Sequence, residues 1–109
     1  PVIVVTTRGA KTGGVRKFAL MKVEHDGAYA LVASKGGDPH HPGWYHNLTA
    51  SPDVEVQIGR KRIPVRARVA EGDERAELWK RADEINQGGY ERYQARTDRQ
   101  IPVVVLDPR

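Results

Sequence analysis

The chain has 109 residues, 39% of them hydrophobic and 29% charged, with a formal net charge of +4 and no Cys. That length allows one domain over residues 1–109 and excludes a dinucleotide-binding domain joined to a separate catalytic one; the lack of Cys excludes disulfides, thiolate metal sites and cysteine nucleophiles. No apolar run approaches the roughly 18 residues of a membrane span, and no signal-like leader opens the chain.

The charge is unevenly placed. Residues 1–62 carry nine Lys/Arg against five Asp/Glu, whereas residues 63–109 carry nine of each. Arg8, Lys11, Arg16, Lys17 and Lys22 fall in a stretch with no acid before Val23, which makes a local positive field suited to a polyanion.

A β-branched run from Val2 to Thr6 predicts a buried strand directly after Pro1, and the start without Met predicts a missing leading segment. GAKTGG, residues 9–14, is a glycine-rich basic turn able to bind phosphate. It is not a Walker A loop, because Lys11 and Thr12 precede the Gly pair. Arg16 to Glu24 predicts a second strand, and Asp26-Gly27 a two-residue hairpin into a third over Ala28 to Ser34. The near-continuous apolar character of YALVA marks that third strand as well buried.

SKGGDPHHPGWYHN, from Ser34 to Asn47, then carries the densest local chemistry. Gly36 and Gly37 free the backbone to turn consecutive N–H groups toward one point, and a short helix starting near Pro42 adds its positive end. Trp44 and Tyr45 add flat apolar surface for a planar ligand; the alternative is an ordinary loop whose Trp fills the core. Ser51-Pro52 ends the helix after Ala50.

Val54, Val56 and Ile58 alternate with polar residues, as do Ile63, Val65, Ala67 and Val69 beyond Gly59-Arg60, so this is a half-exposed hairpin. Pro64 places its second strand near an edge or a bulge. Gly72-Asp73 caps a helix over Glu74 to Asn86 with Ala76, Leu78, Trp79, Ala82 and Ile85 on its apolar face. Tyr90 to Arg96 predicts a second short helix, and Pro102 to Leu106 the last strand. Six mostly antiparallel strands with exposed edges predict a small barrel covered by the long helix.

His40, His41 and His46 lack the spacing of a metal site, and Asp38 is the one suitably spaced acid beside them, so no metal is expected. Ser34 with these histidines lacks the elbow motif of a hydrolase. The basic stretch has too few aromatics to stack bases, so nucleic acid is not an expected partner. Tyr90 and Tyr93, three apart on a helix, read first as packing and second as phenols lining a pocket.

TTRGAKTGGVR (residues 6–16), ASKGGDPHHPGWYHNL (33–48) and YQARTDRQIPVVVL (93–106), in that order, resemble the deazaflavin-dependent nitroreductase family of actinobacteria over nearly the whole chain. The resemblance implies an α+β, mainly β, fold: a six-stranded antiparallel split β-barrel like the flavin-mononucleotide-binding barrels, with one longer helix and short helices. It implies coenzyme F420, an 8-hydroxy-5-deazaflavin with a phosphate and a polyglutamate tail. Arg8, Lys11, Thr12, Gly13 and Arg16 would then meet the phosphate and tail. Ser34, Lys35, Gly36 and Gly37 would meet the deazaflavin head, with Pro42 setting the start of the helix that brings Trp44 and Asn47 to the same wall.

The implied reaction is hydride transfer from the reduced deazaflavin to a small electron-poor acceptor, with Ser34, Tyr90 and Tyr93 as the implied catalytic side chains. A position that carries a pocket Tyr in nitro-reducing members holds Met21 here. A quinone-like acceptor is therefore implied as readily as a nitroaromatic. A flavin-mononucleotide barrel oxidoreductase, or a non-catalytic carrier or anion-binding module, is the alternative. The family's leading segment implies contact of a cytoplasmic enzyme with the inner face of the membrane, the enzyme being a monomer or weak homodimer.

Overall fold

The computed structural model describes residues 2–109; Pro1, where the missing leading segment was expected, lies outside them. The strands are β1 (Val2–Arg8), β2 (Val15–Met21), β3 (Val23–His25), β4 (Ala28–Val32), β5 (Asp53–Ile58), β6 (Lys61–Val69) and β7 (Val103–Pro108). The helices are α1 (Gly43–Ala50), α2 (Gly72–Ile85) and α3 (Gly89–Gln94), with a single 3-10 turn at Lys35–Gly37. None of the described helices is long and apolar enough to cross a membrane.

All seven strands form one antiparallel sheet in the order β2-β1-β5-β6-β7-β4-β3. The two outermost strands are consecutive in the chain, separated only by Lys22. A sheet whose opposite edges are joined by one residue has to roll up, which gives the partly closed barrel that the hairpins predict.

The expected second strand is in fact two, and the sheet has seven strands rather than six. RKFALMKVE breaks at Lys22 because its two halves pair with different neighbours. Met21 faces Val2 of β1, whereas Val23 faces Ala30 of β4. Lys22 is the corner where the chain leaves one edge and begins the other.

Rolling produces two apolar layers. Ile3, Val5, Leu31, Leu48, Val54, Val56, Val65, Val104 and Leu106 fill the barrel side and take α1 through Leu48. Val23, Ala30, Val32, Val103 and Val105 form the other face, against Leu78, Trp79 and Ala82 of α2. Strands β4 and β7 send alternate residues to both layers, so they are buried on both sides and read as unbroken apolar runs.

Three local expectations change. Pro64 lies on β6, an interior strand, opposite Glu55 of β5. The β6–β7 ladder begins only at Val65, opposite Pro108, and the Pro64 carbonyl accepts the Arg109 N–H. A residue's N and C=O point to the same side of a strand, so the missing donor of Pro64 faces the place where β7 runs out. Secondly, the buried stripe of α2 is Leu78, Trp79 and Ala82; Ala76 and Ile85 are exposed, since a helix touching one gently curved sheet buries a narrow stripe. Finally, Glu71 rather than Gly72-Asp73 occupies the N-cap of α2, with no side-chain capping bond.

Candidate functional site

The GAKTGG turn is the loop of the β1–β2 hairpin, and it closes on itself. Gly9 N–H donates to the Gly14 carbonyl at 2.7 Å and Gly13 N–H to the Gly9 carbonyl at 2.8 Å. Gly14 N–H donates to Thr12 Oγ1, and Arg8 Nη1 reaches the Gly13 carbonyl. A Cβ on Gly14 would stand 2.9 Å from Arg16 Nη1, and one on Gly9 would stand 3.0 Å from Thr12 Oγ1. Glycine at these positions leaves the room that the Thr12 and Arg16 side chains occupy.

This loop is held to α1 across 37 residues of sequence: Asn47 Oδ1 accepts the Ala10 N–H at 2.9 Å. Between them lies an open pocket of about 400 Å³ walled by Lys11, Thr12 and Arg16 on one side and by Gly43, His46 and Asn47 of α1 on the other. Its electrostatics are one-sided. Among the described residues, ion pairs join Lys22 to Glu24, Arg66 and Arg109 to Asp53, and Arg68 to Glu74 and Asp107, with His25 and His40 beside neighbouring acids. None involves Lys11 or Arg16, nor Arg8 in the same loop, so the cations at this pocket have no internal counter-charge. A phosphate or carboxylate group fits that donor set.

The Ser34–His41 segment is built differently. Strand β4 ends at Val32, and buried Ser34 adopts helical angles before Lys35, Gly36 and Gly37 all turn left-handed at φ 46°, 64° and 85°. Gly37 N–H donates to the Ser34 carbonyl at 2.9 Å and Asp38 N–H to that of Lys35 at 3.1 Å. Those two donors serve the turn itself. Those of Lys35 and Gly36 have no partner among the described residues, so the free pair of donors sits one residue earlier than the glycine pair suggests.

Arg99, which the sequence reading passed over, organises this segment. Its Nε donates to the Asp38 carbonyl at 2.8 Å, its Nη2 to the Ser34 carbonyl at 2.8 Å, and its Nη1 to the Ala33 carbonyl at 3.1 Å and His41 Nδ1 at 3.0 Å. Arginine has no acceptor, so His41 Nδ1 takes the bond unprotonated and the ring's hydrogen sits on Nε2. Burial, and then the nearby Arg99 and His46, hold the His41 pKa below its ordinary value. Gln94 of α3 anchors the clamp, accepting the Ile101 N–H and donating to the Arg99 carbonyl at 2.7 Å. The only sequence signal for all this is a lone Arg before a buried strand, because its partners lie about sixty residues away.

Pro42 stands at the N-cap of α1, buried, as expected for the residue setting that helix start. The Trp44 indole stacks on Phe18 of β2, ring centroids 5.0 Å apart and planes within 17°. One face of that indole is therefore covered by the protein. His40 pairs with the Asp38 carboxylate, whose pKa is lowered chiefly by the His40 N–H, and His41 lies against Tyr45.

The expected residues thus fall into two groups. Lys11, Thr12 and Arg16 come together with Asn47 at the pocket, while Arg8 and Gly13 bond to each other in the same loop outside its wall. Ser34, Lys35, Gly36 and Gly37 form the clamped turn, with Gly37 seated on the Tyr93 carbonyl of α3. The chain that joins the groups is the eight-residue α1, roughly 12 Å long. Trp44, Tyr90, Tyr93 and the clamped turn lie outside the pocket wall. Tyr90 and Tyr93 pack edge to face, 6.3 Å between centroids, on the α2-side core that Met21 also joins. Burial raises the Tyr90 pKa, with Tyr93 and Asp83 adding to it, so its hydroxyl stays protonated.

The chain resembles known proteins along its full length. The model of the F420H(2)-dependent quinone reductase family matches residues 1–108. The F420H(2)-dependent quinone reductase Rv1261c of Mycobacterium tuberculosis is 48% identical over 111 residues, covering all of this chain and 74% of the relative. A solved F420-H2 dependent reductase, FDR-A, superposes with a TM-score of 0.89 at 51% identity, covering 98% of this chain and 94% of that one. A structure described as a domain-swapped dimer gives a TM-score of 0.90, also at 51% identity, over 98% of this chain and 80% of that one. With its rolled antiparallel sheet and its counter-ion-free basic pocket, the chain belongs to the F420H(2)-dependent quinone reductase family.

Proposed function

We propose that this protein binds reduced coenzyme F420 with its acidic tail at the Lys11–Arg16 pocket and its deazaflavin head toward the Ser34–Gly37 turn, and reduces a small quinone-like acceptor. The observation that carries the reading is the pocket of cations without counter-ions, tied to α1 by the Asn47–Ala10 bond, in a chain of this family. Bound there, the coenzyme supplies a hydride to an electron-poor acceptor.

The chain's own part is positioning. Arg8, Lys11 and Arg16 attract the phosphate and tail, and Thr12 offers a hydroxyl beside them. Gly13, at φ 71°, lets the loop turn back on itself. Lys35 and Gly36 offer two free N–H groups to a polar edge of the head, next to the Ser34 hydroxyl. Trp44 and Asn47 brace the helix between the two halves. Reducing a quinone to a hydroquinone consumes one hydride and one proton, or the hydride alone when the product leaves as its monoanion. Tyr90, kept protonated by its burial, and its neighbour Tyr93 are the donors we assign to that proton. A nitroaromatic is the second acceptor; Met21 packs against the same apolar cluster as these phenols.

The exposed edge strand β2 supports a homodimer as the higher of two association states, the lower being the monomer. A cytoplasmic location is part of the same reading.

Calorimetry with F420 and with flavin mononucleotide tests the cofactor choice. Oxidation of reduced F420 followed with a quinone and with a nitroaromatic tests the acceptor. Equal affinity for the two flavins would replace the reading by a flavin-mononucleotide barrel, and binding without turnover of either acceptor would make the protein a carrier.

A further inference from the structure

We propose that Arg99 is a positioning residue for the cofactor's ring system, acting through the Ser34–His41 segment, and that neutral His41 is the latch that lets this clamp be made. The inference rests on the placement of the deazaflavin head at that turn. A single guanidinium engages three carbonyls, those of Ala33, Ser34 and Asp38, and one imidazole nitrogen. These four acceptors span the full turn that presents Ser34, Lys35 and Gly36. No other side chain among the described residues bonds to those three carbonyls, so the turn's shape depends on this one group.

The clamp needs a planar fork. A lysine ammonium offers three donors from one point and cannot reach carbonyls on both sides of the turn together with His41. It also needs His41 neutral, because protonation puts a hydrogen on Nδ1 facing the Arg99 donor, 3.0 Å away, and sets two cations against each other. The groups facing His41 are Arg99 from the segment before β7 and Tyr45 and His46 from α1, their ring centroids 4.6 and 5.9 Å from its own. On its own loop, Asp38 and His40 engage each other. Among the described residues, none of these immediate partners is a carboxylate that could stabilise a charged His41. Its pKa lies below the ordinary 6.5, burial being the first cause, so the clamp is whole at neutral pH and released as pH falls through that lowered value.

Two measurements test this. The first uses no cofactor: amide hydrogen exchange at Gly37 and Asp38, whose N–H groups close the turn. Arg99→Met and Arg99→Lys should both speed exchange there by about tenfold or more while the β-sheet amides stay protected. Acidification from pH 7.5 to 5 should do the same in the wild type and much less in His41→Gln, whose amide oxygen accepts the bond without titrating. The second is calorimetry with the deazaflavin ring on its ribityl chain, without phosphate or tail. Both Arg99 variants should bind it about tenfold more weakly, and the acid loss of affinity should be largely absent in His41→Gln. Ionisation of the probe is common to both proteins and cancels in the ratio.

Wild-type exchange at Gly37 and Asp38 in both Arg99 variants, or an unchanged acid response in His41→Gln, would overturn the clamp. A wild type that binds no deazaflavin, with exchange behaving as expected, would instead remove the cofactor reading and leave Arg99 a structural clamp only.

Discussion

A Cβ placed on Gly37 would stand 2.7 Å from the Tyr93 carbonyl oxygen, closer than any real Cβ approaches backbone. Helix α3 therefore seats directly on the Gly37 backbone, and the turn that follows β4 and the helix that carries both candidate phenols are one packed unit.

Gly37→Ala should accordingly be more damaging than Gly36→Ala. Both residues have positive φ, which costs alanine about 1 kcal/mol, but nothing lies within 4 Å of a Cβ on Gly36. At Gly37 the overlap with Tyr93 and Arg96 adds to that, for a total of about 2–4 kcal/mol. Urea unfolding of the two variants measures the difference.

Lys11→Ala and Arg16→Ala should each weaken F420 binding by about 0.5–1.5 kcal/mol at low salt, with the effect shrinking as salt rises. The loss should grow with the number of glutamates in the tail, because an open pocket acts on distant charge through its field. Titration with cofactors of different tail length checks it, and equal losses for all lengths would move the tail elsewhere.

Arg68 donates to both carboxylate oxygens of Glu74, at 2.5 and 2.8 Å, and to Asp107 at 2.6 Å, joining α2 to β6 and β7. All three side chains are more than 40% exposed, so solvent screening limits the coupling in an Arg68→Met, Glu74→Gln double-mutant cycle to about 1 kcal/mol. The bond from Arg68 lowers the Glu74 pKa below its ordinary 4.5. Its contribution is thus present above pH 4.5 and lost as the pH falls through the lowered value. Glu74→Gln should flatten that part of the acid-unfolding profile, as read by circular dichroism.

Tyr90→Phe and Tyr93→Phe should separate packing from proton donation. The rings meet edge to face and keep that contact as Phe, so stability should change by less than about 1 kcal/mol. If either hydroxyl supplies the proton, quinone turnover should fall by about 10–100-fold in that variant with cofactor affinity retained. Unchanged turnover in both would assign the proton to solvent or Ser34.

The strands around the core were readable because burial on one or both faces imposes period-two or unbroken apolar patterns on short windows. Val54/Val56 and Val103–Leu106 show the two cases. The break at Lys22 was not readable, since no Gly or Pro interrupts RKFALMKVE and only the choice of pairing partner divides it. At the site, the basic loop announced its own charge. That Phe18 would cover one face of Trp44, or that Asn47 would hold Ala10, depends on which strand and helix end up adjacent.

The sequence by itself determined where positive charge gathers, where the backbone must turn left-handed and where α1 begins at Pro42, because these are properties of a residue and its immediate neighbours. Tertiary structure alone decided that Arg99 clamps a turn 58 to 66 residues earlier, that Gly37 must admit α3, and that the basic loop and α1 enclose one pocket. Those are contacts between segments that the rolling of a seven-stranded sheet brings together, and no local pattern of residues encodes the identity of a partner reached only after the sheet has closed.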